Sequence, residues 1–168
     1  MRIEKWGVFA IKEGRIIKIN RDAKASVYGN YVIIKDRQGI ISRYAHLKSI
    51  AVNVGQTVQA GAFLGIMGDT GRGIPGPNKH LHVSVYPATT KDPYMGKDAT
   101  IDPKSYILDK GIYPCNSKPS TDFHQMIGNP PYPHEGLDFS GLDKNIITGW
   151  EAGTFEIKNI FEEFKKGR

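Results

Sequence analysis

Residues 31–47 read YVIIKDRQGIISRYAHL, and this stretch constrains the fold more than any other. β-Branched residues dominate the runs on either side of Gln38-Gly39. Such side chains lose rotamer freedom in a helix and pack well on a pleated surface. The pattern therefore predicts two antiparallel strands joined at Gln38-Gly39. The flanking sequence repeats the theme. Residues 7–19 run GVFAI, a turn at Lys12-Glu13-Gly14, then RIIKI, which reads as another hairpin. The segment VNVGQTVQAGAFLGIMGDTG spaces short apolar runs between Gly55, Gly61, Gly65, Gly68 and Gly71. With 19 glycines and 10 prolines in 168 residues, the chain reads as mainly β. The expectation is a small antiparallel core of barrel or sandwich type with long loops.

Beyond residue 87 the texture changes. DPKSYI reads as one helical turn, and residues 108–133 are rich in turn formers, as a linker or wrapped loop would be. NIITGWEAGTFEI is a further hairpin pattern, similar in shape to VFAIKEGRII near the start. The tail NIFEEFKKGR sets Ile160, Phe161 and Phe164 on one side, as a short C-terminal amphipathic helix would. The chain thus divides into a β core over 1–107, a linker over 108–133, and a final segment over 134–168 that packs on the same core or on a second copy.

The net charge of +6 and pI near 9.3 favour an acidic partner such as a cell-wall polymer. No basic-aromatic motif supports a nucleic-acid binder. Cys115 stands alone, which rules out an intrachain disulfide and the zinc-thiolate spacings. No apolar stretch is long enough for a membrane span. The N-terminus, MRIEKWGVFAIKEGR, lacks the long apolar stretch and cleavage site of a signal peptide.

The histidines are His46, His80, His82, His124 and His134. In a strand, residues two apart share a face, so His80 and His82 of HLHVSVY project side by side. Paired imidazoles suit a metal site, although two surface histidines on an edge strand are the simpler reading of that motif alone. His134 and Asp138 sit in HEGLD, where PPYP and nearby glycines disfavour a helix. If the segment is extended they too share a face; alone, they describe an ordinary loop. His46 ends the run SRYAHL, where a backbone-bonded, partly buried histidine is the plain expectation. His124 reads as a loop residue. Taken together, His82, His134 and Asp138 make three protein ligands and leave a fourth position open, the layout of a catalytic zinc site. His80 and His46 then remain as unligated imidazoles able to move protons or steady an oxyanion.

YGNYVIIKDRQGIISRYAHL, VNVGQTVQAGAFLGIMGDTGR and HLH resemble the core of the lysostaphin-type zinc metallopeptidases. These enzymes cut cross-bridges or stem peptides of peptidoglycan. The resemblance covers residues 8 to about 106, and HEGLDFSG resembles the family's His-x-x-x-Asp signature. It implies a small antiparallel β core with a loop-lined groove and a Zn2+ held by His134, Asp138 and His82. It also implies catalytic roles for His80, beside the metal, and for His46. The implied function is a zinc metallo-endopeptidase acting on peptidoglycan peptides at the cell envelope or as a phage component. The alternative is a catalytically inactive module that keeps the fold as a binding or scaffold piece. The glycine-rich stretch 52–68 also resembles the hairpin of biotinyl and lipoyl carrier domains, but it has no lysine to carry the group. The departure from the family is one of order: HEGLD follows HLH here, whereas in the family it comes first. Circular permutation, exchange of the segment with a second copy in a homo-oligomer, and a cut through a tandem array are all open. The repeated hairpin favours a tandem origin or a permutation with overlap.

Overall fold

The structure, a computed structural model, describes residues 6–72, 78–91, 100–109, 111–112, 114–115, 117–122, 125–127 and 132–140. In chain order the strands are β1 (Gly7–Phe9), β2 (Gly14–Asn20), β3 (Tyr31–Asp36), β4 (Ile41–Ala45), β5 (Leu47–Ile50), β6 (Thr57–Val58), β7 (Phe63–Met67) and β8 (His80–Tyr86). A helix α1 (Pro103–Leu108) follows, then β9 (Lys118–Thr121), β10 (Met126–Ile127), β11 (Tyr132–Pro133) and β12 (Leu137–Ser140). The expected C-terminal helix, the hairpin after residue 145 and His124 lie outside the described residues.

Seven strands form one antiparallel sheet in the order β6-β2-β3-β4-β8-β12-β9. Three more form a smaller sheet, β1-β7-β5, and β10 pairs with β11. The sheets are not closed into a barrel. The β3–β4 hairpin forms as the sequence predicts. Asp36 Oδ1 accepts from the backbone N–H groups of Gln38 and Ile40, and Gly39 takes the φ of 84° that the turn requires.

The expected hairpin over 7–19 does not form. β1 pairs with β7, while β2 pairs with β3 and β6. Residues 10–13 instead cross from one sheet to the other. Ala10 and Ala62 are tied through backbone bonds, the Ile11 N–H donates to the Tyr44 hydroxyl, and the Ile11 carbonyl accepts from Ile112. The stretch 108–133, turn-rich in composition, holds three short strands, and β9 extends the large sheet beyond β12.

The large sheet has two buried faces. Val32, Ile34, Tyr44, Leu81, Val83, Val85, Leu137 and Phe139 pack into the main core with Met67 and Leu64 of the small sheet. Alternation sends Tyr31, Ile33, Ile41, Ala45 and Tyr86 to the other side, where they form a smaller cluster. The same alternation puts His80, His82 and Ser84 on that second face, in line with Tyr86. Every residue of β8 is buried, and the strand lies between β4 and β12 rather than at an edge.

Candidate metal centre

β12 docks beside β8 because its apolar residues, Leu137 and Phe139, bury completely in the main core. Each contributes about 1.5–3 kcal/mol by burial. The register then decides the chemistry: Asp138 lies directly opposite His82, and Ser140 opposite His80. Cross-strand partners share a face. Asp138 Oδ1 is 2.8 Å from His82 Nδ1. His134, just before the strand, places Nε2 3.1 Å from His82 Nδ1 and 3.3 Å from Asp138 Oδ1. Gly136 makes this approach possible. A Cβ there would lie 2.4 Å from the Val83 carbonyl oxygen and 2.7 Å from His82 Nε2.

His46 enters from a different element. It sits between β4 and β5, where the chain leaves the large sheet for the small one, with a φ of 62°. That left-handed conformation is unfavourable for a residue with a Cβ. Its N–H donates to the Tyr28 carbonyl, and the next N–H, of Leu47, donates to Asn30, so the turn is held on both sides. The ring centroid lies 4.4 Å from that of His80 and 6.0 Å from that of His82. All four imidazoles, His46, His80, His82 and His134, are buried.

Hydrogen bonds fix the tautomers. A backbone carbonyl can only accept, so Nδ1 of His134 carries its proton toward the Asp122 carbonyl, leaving Nε2 with a lone pair for the cluster. The same reasoning applies to His46, whose Nδ1 donates to the Thr70 carbonyl, and to His80, whose Nδ1 donates to that of Asn78. In both, Nε2 is the unprotonated nitrogen. His82 differs: its Nδ1 faces the Asp138 carboxylate at 2.8 Å, which only accepts, and its Nε2 faces the Ser84 hydroxyl at 2.8 Å, which can accept or donate, so a metal at Nδ1 would displace the proton held there while Ser84 receives one from Nε2. Such outer partners orient metal-binding imidazoles.

Electrostatics follow the packing. Burial, reinforced by the His80 and His82 imidazoles, pushes His46 down to about 3, so it is neutral at neutral pH. Burial also lowers His82, against the opposing hydrogen bond and charge of Asp138. At His134 burial opposes the charged form, but the Asp138 hydrogen bond and charge, with the Asp122 carbonyl, outweigh it and raise the pKa. Burial likewise opposes ionisation of Asp138. The hydrogen bonds and charges of His134 and His82 prevail and hold it well below the usual carboxylate range.

The donor set fits a zinc ion. Two imidazole nitrogens and one carboxylate oxygen are ligand types zinc accepts, at about 2.0–2.2 Å from the metal. Ligands on a tetrahedron of that size stand about 3.3 Å apart. The three edges here are 2.8, 3.1 and 3.3 Å, a face of such a tetrahedron slightly contracted. Among the described residues this trio is the one cluster of three His, Cys, Asp or Glu donors close enough to share an ion.

The sequence model of peptidase family M23 matches residues 4–98. The chain belongs to that family. The M23 match spans β1 to β8 and so takes in His46, His80 and His82, while His134 and Asp138 fall beyond it. The peptidoglycan DD-endopeptidase ShyA of Vibrio cholerae is 42% identical over 57 residues, 34% of this chain and 13% of ShyA. The lipoprotein YgeR of Escherichia coli is 32% identical over 87 residues, 51% of this chain and 32% of YgeR. The chain therefore spans less than a third of either relative's length. Lysostaphin of Staphylococcus simulans superposes with a TM-score of 0.51 at 23% identity, over 69% of this chain and 48% of that one, which shows a shared fold.

Reasoning from sequence missed several residues packed around this cluster: Gly136, Ser84, Arg43 and the Tyr28–Glu135 pair. Ser84 had a signal, since strict alternation along HLHVSVY places it on the histidine face. The others depend on contacts between distant segments that no local pattern encodes.

Proposed function

We propose that this chain is a zinc-dependent endopeptidase that hydrolyses peptide bonds in the stem peptides or cross-bridges of peptidoglycan. The carrying observation is the convergence of His82 with His134 and Asp138, 52 and 56 residues further along, to within 3.3 Å of one another. His82, His134 and Asp138 would hold the ion. Bound zinc supplies Lewis-acid polarisation of the scissile carbonyl and activates a water at neutral pH. His46, held neutral by burial, and His80 both point Nδ1 at a backbone carbonyl, which leaves Nε2 of each ring as the nitrogen that can accept. His80 takes the proton as the water attacks and returns it to the departing amine, and His46 assists from the adjacent position. Burial of both rings keeps bulk water from competing for the proton.

The substrate class rests on family membership and on the ShyA relative, whose name describes a peptidoglycan endopeptidase. The positive charge suits an anionic wall, so the site of action is the cell envelope, reached as an envelope protein or as part of a phage particle. β12 lies on β8 of its own chain, which supports assembly of the site within one molecule.

A second reading, an inactive binding or scaffold module, is favoured by the end of the M23 match at residue 98, short of two of the three ligands. The experiment is metal analysis of the purified protein and of His82→Ala, followed by digestion of several peptidoglycan types with mass analysis of the released peptides. One zinc per chain, lost in the variant, with new amino termini in a digest, supports the endopeptidase. Zinc binding without any cleavage favours the scaffold. No zinc in the wild-type protein overturns the metal reading. Mixing His82→Ala with Asp138→Ala chains tests exchange between copies: activity that returns only on mixing replaces single-chain assembly with a swapped dimer.

A further inference from the structure

Arg43 is 1% exposed, among the largest fully buried side chains of the protein, and it lies on the same face of the sheet as the metal centre. Its β4 position is directly opposite Ser84 on β8, as Ala45 is opposite His82. The guanidinium carbon sits 3.5 Å from the centroid of the Tyr28 ring and 5.2 Å from that of Tyr86. The same guanidinium donates to the Ser84 hydroxyl at 3.4 Å and to the Tyr86 hydroxyl. Taking a cation out of water costs several kcal/mol, and an apolar residue would fill the small Tyr31–Ile33–Ile41–Tyr86 cluster without that cost. A charged fork at this position therefore calls for a role beyond packing.

Its partners supply one. Ser84 Oγ is the atom that His82 Nε2 reaches at 2.8 Å. A serine oxygen has two lone pairs, so it can receive the Arg43 N–H and the His82 N–H together. With a metal on Nδ1, that arrangement would receive the proton of His82 at Nε2 and hold the ring in the metal-binding tautomer. On the other side, the Tyr28 ring that covers Arg43 sends its hydroxyl to Glu135 Oε2 at 2.9 Å. Glu135 follows His134 directly, in the segment that ends at Asp138. The guanidinium thus stands behind both halves of the centre, one through Ser84 and one through Tyr28.

We propose that Arg43 is a positioning residue for the metal centre: through the Ser84 hydroxyl it sets the ring orientation and tautomer of His82, and through Tyr28 and Glu135 it seats the segment that carries His134 and Asp138. The inference rests on the zinc reading above.

The test is a double-mutant cycle on the full chain with Arg43→Met, Ser84→Ala and the pair. Zinc affinity is read by competition with a chromophoric chelator, and the ligand field by the visible absorption of Co2+ substituted for zinc. Loss of an outer partner lowers metal affinity about 10–100-fold. Each single variant is expected to lose that much and to shift the Co2+ bands. The pair is expected to lose little more than the weaker single, because both act on one ring. Thermal unfolding of each metal-free variant reports packing separately. If Arg43→Met does not fold, Arg43→Lys takes its place in the cycle; it keeps charge and stem but loses the fork and the stacking plane, and is expected to lose affinity too. Native zinc affinity and Co2+ bands in the folded Arg43 variant, or losses that multiply in the pair, overturn this inference alone. A wild-type protein that binds no zinc overturns it together with the reading on which it rests.

Discussion

Gly136→Ala is the sharpest probe of how the site is built. The added Cβ would lie 2.4 Å from the Val83 carbonyl oxygen, 2.7 Å from His82 Nε2 and 2.8 Å from His82 Cε1. Ordinary contact of a carbon with such atoms begins near 3.4 Å. Val83 is main chain in the middle of a seven-stranded sheet, and the His82 ring is tied at both nitrogens, so neither can yield. The segment from His134 to Asp138 must retreat by about 1 Å, twice the tolerance of about 0.5 Å that a preorganised site allows. The 2.8 Å contact between Asp138 and His82 then stretches beyond hydrogen-bonding range. Overpacking of this kind costs about 1–3 kcal/mol. At about 2–4 °C per kcal/mol for a chain of this size, the metal-free melting temperature falls by about 2–12 °C. Zinc affinity falls by at least about tenfold, in the range for a displaced ligand set. The assay is circular dichroism melting in a chelator, paired with zinc competition. Gly55→Ala is the control. Its φ is 87° and its Cβ would meet nothing nearer than Arg15 at 3.8 Å, so it strains the backbone far from the site and leaves zinc affinity intact. A Gly136→Ala protein that melts and binds zinc like the wild type would refute the close approach of the segment to β8.

The remaining expectations follow from the same geometry. His80→Ala and His46→Ala retain zinc at one per chain but lose peptide-bond cleavage by about 100-fold or more, read by metal analysis beside a muropeptide digest. Lys104→Met removes the 2.7 Å ion pair with Asp122, whose carbonyl fixes His134; it weakens zinc binding several-fold in the chelator competition. Zinc binding releases a proton, because Asp138 raises the pKa of His134 in the metal-free protein and the ion displaces what that imidazole holds; affinity therefore climbs with pH until His134 is neutral, and calorimetry in buffers of different ionisation enthalpy measures the release. Cys115, fully buried and pushed up to about 12 by that burial, stays unmodified by a thiol reagent at pH 8 in the folded protein and reacts on unfolding; the raised pKa contributes stability that is complete below the thiol's unfolded value near 9 and is lost as pH rises toward 12.

Local patterns carried the strands better than they carried strand partners. The β3–β4 hairpin was legible because two β-branched runs face each other across a turn whose Gly39 and Asp36 serve it chemically. The stretch at 7–19 has the same outline, apolar run, turn, apolar run, yet its halves belong to different sheets. What separates the two cases is the competition for partners: Ala62, Tyr44 and Ile112 bond residues 10 and 11, and none of those contacts is local. The four histidines of the cluster and the carboxylate were legible as motifs, since alternation alone pairs His80 with His82. That β8 is interior and not an edge was hidden, because its outer neighbour arrives more than fifty residues later. β9 was hidden for a related reason. Its sequence, KPST, reads as turn, and Pro119 is tolerated because the strand is the last of the sheet among the described residues.

The reversed order of the two signatures loses its difficulty once the ladder is considered physically. The centre requires a strand antiparallel to β8 with Asp138 opposite His82, and His134 four residues before it. Backbone pairing and the burial of Leu137 and Phe139 enforce that register, because a slip of one residue would turn both apolar side chains out of the core and Asp138 into it. Neither term depends on whether the strand reaches β8 from the N-terminal or the C-terminal side. What the C-terminal route adds is β9, which closes over the far side of β12 and leaves the strand that carries Asp138 paired on both edges. Two ladders and a buried apolar face thus fix the carboxylate against His82 before any ion arrives, so the segment can be moved in the sequence without being moved in the site.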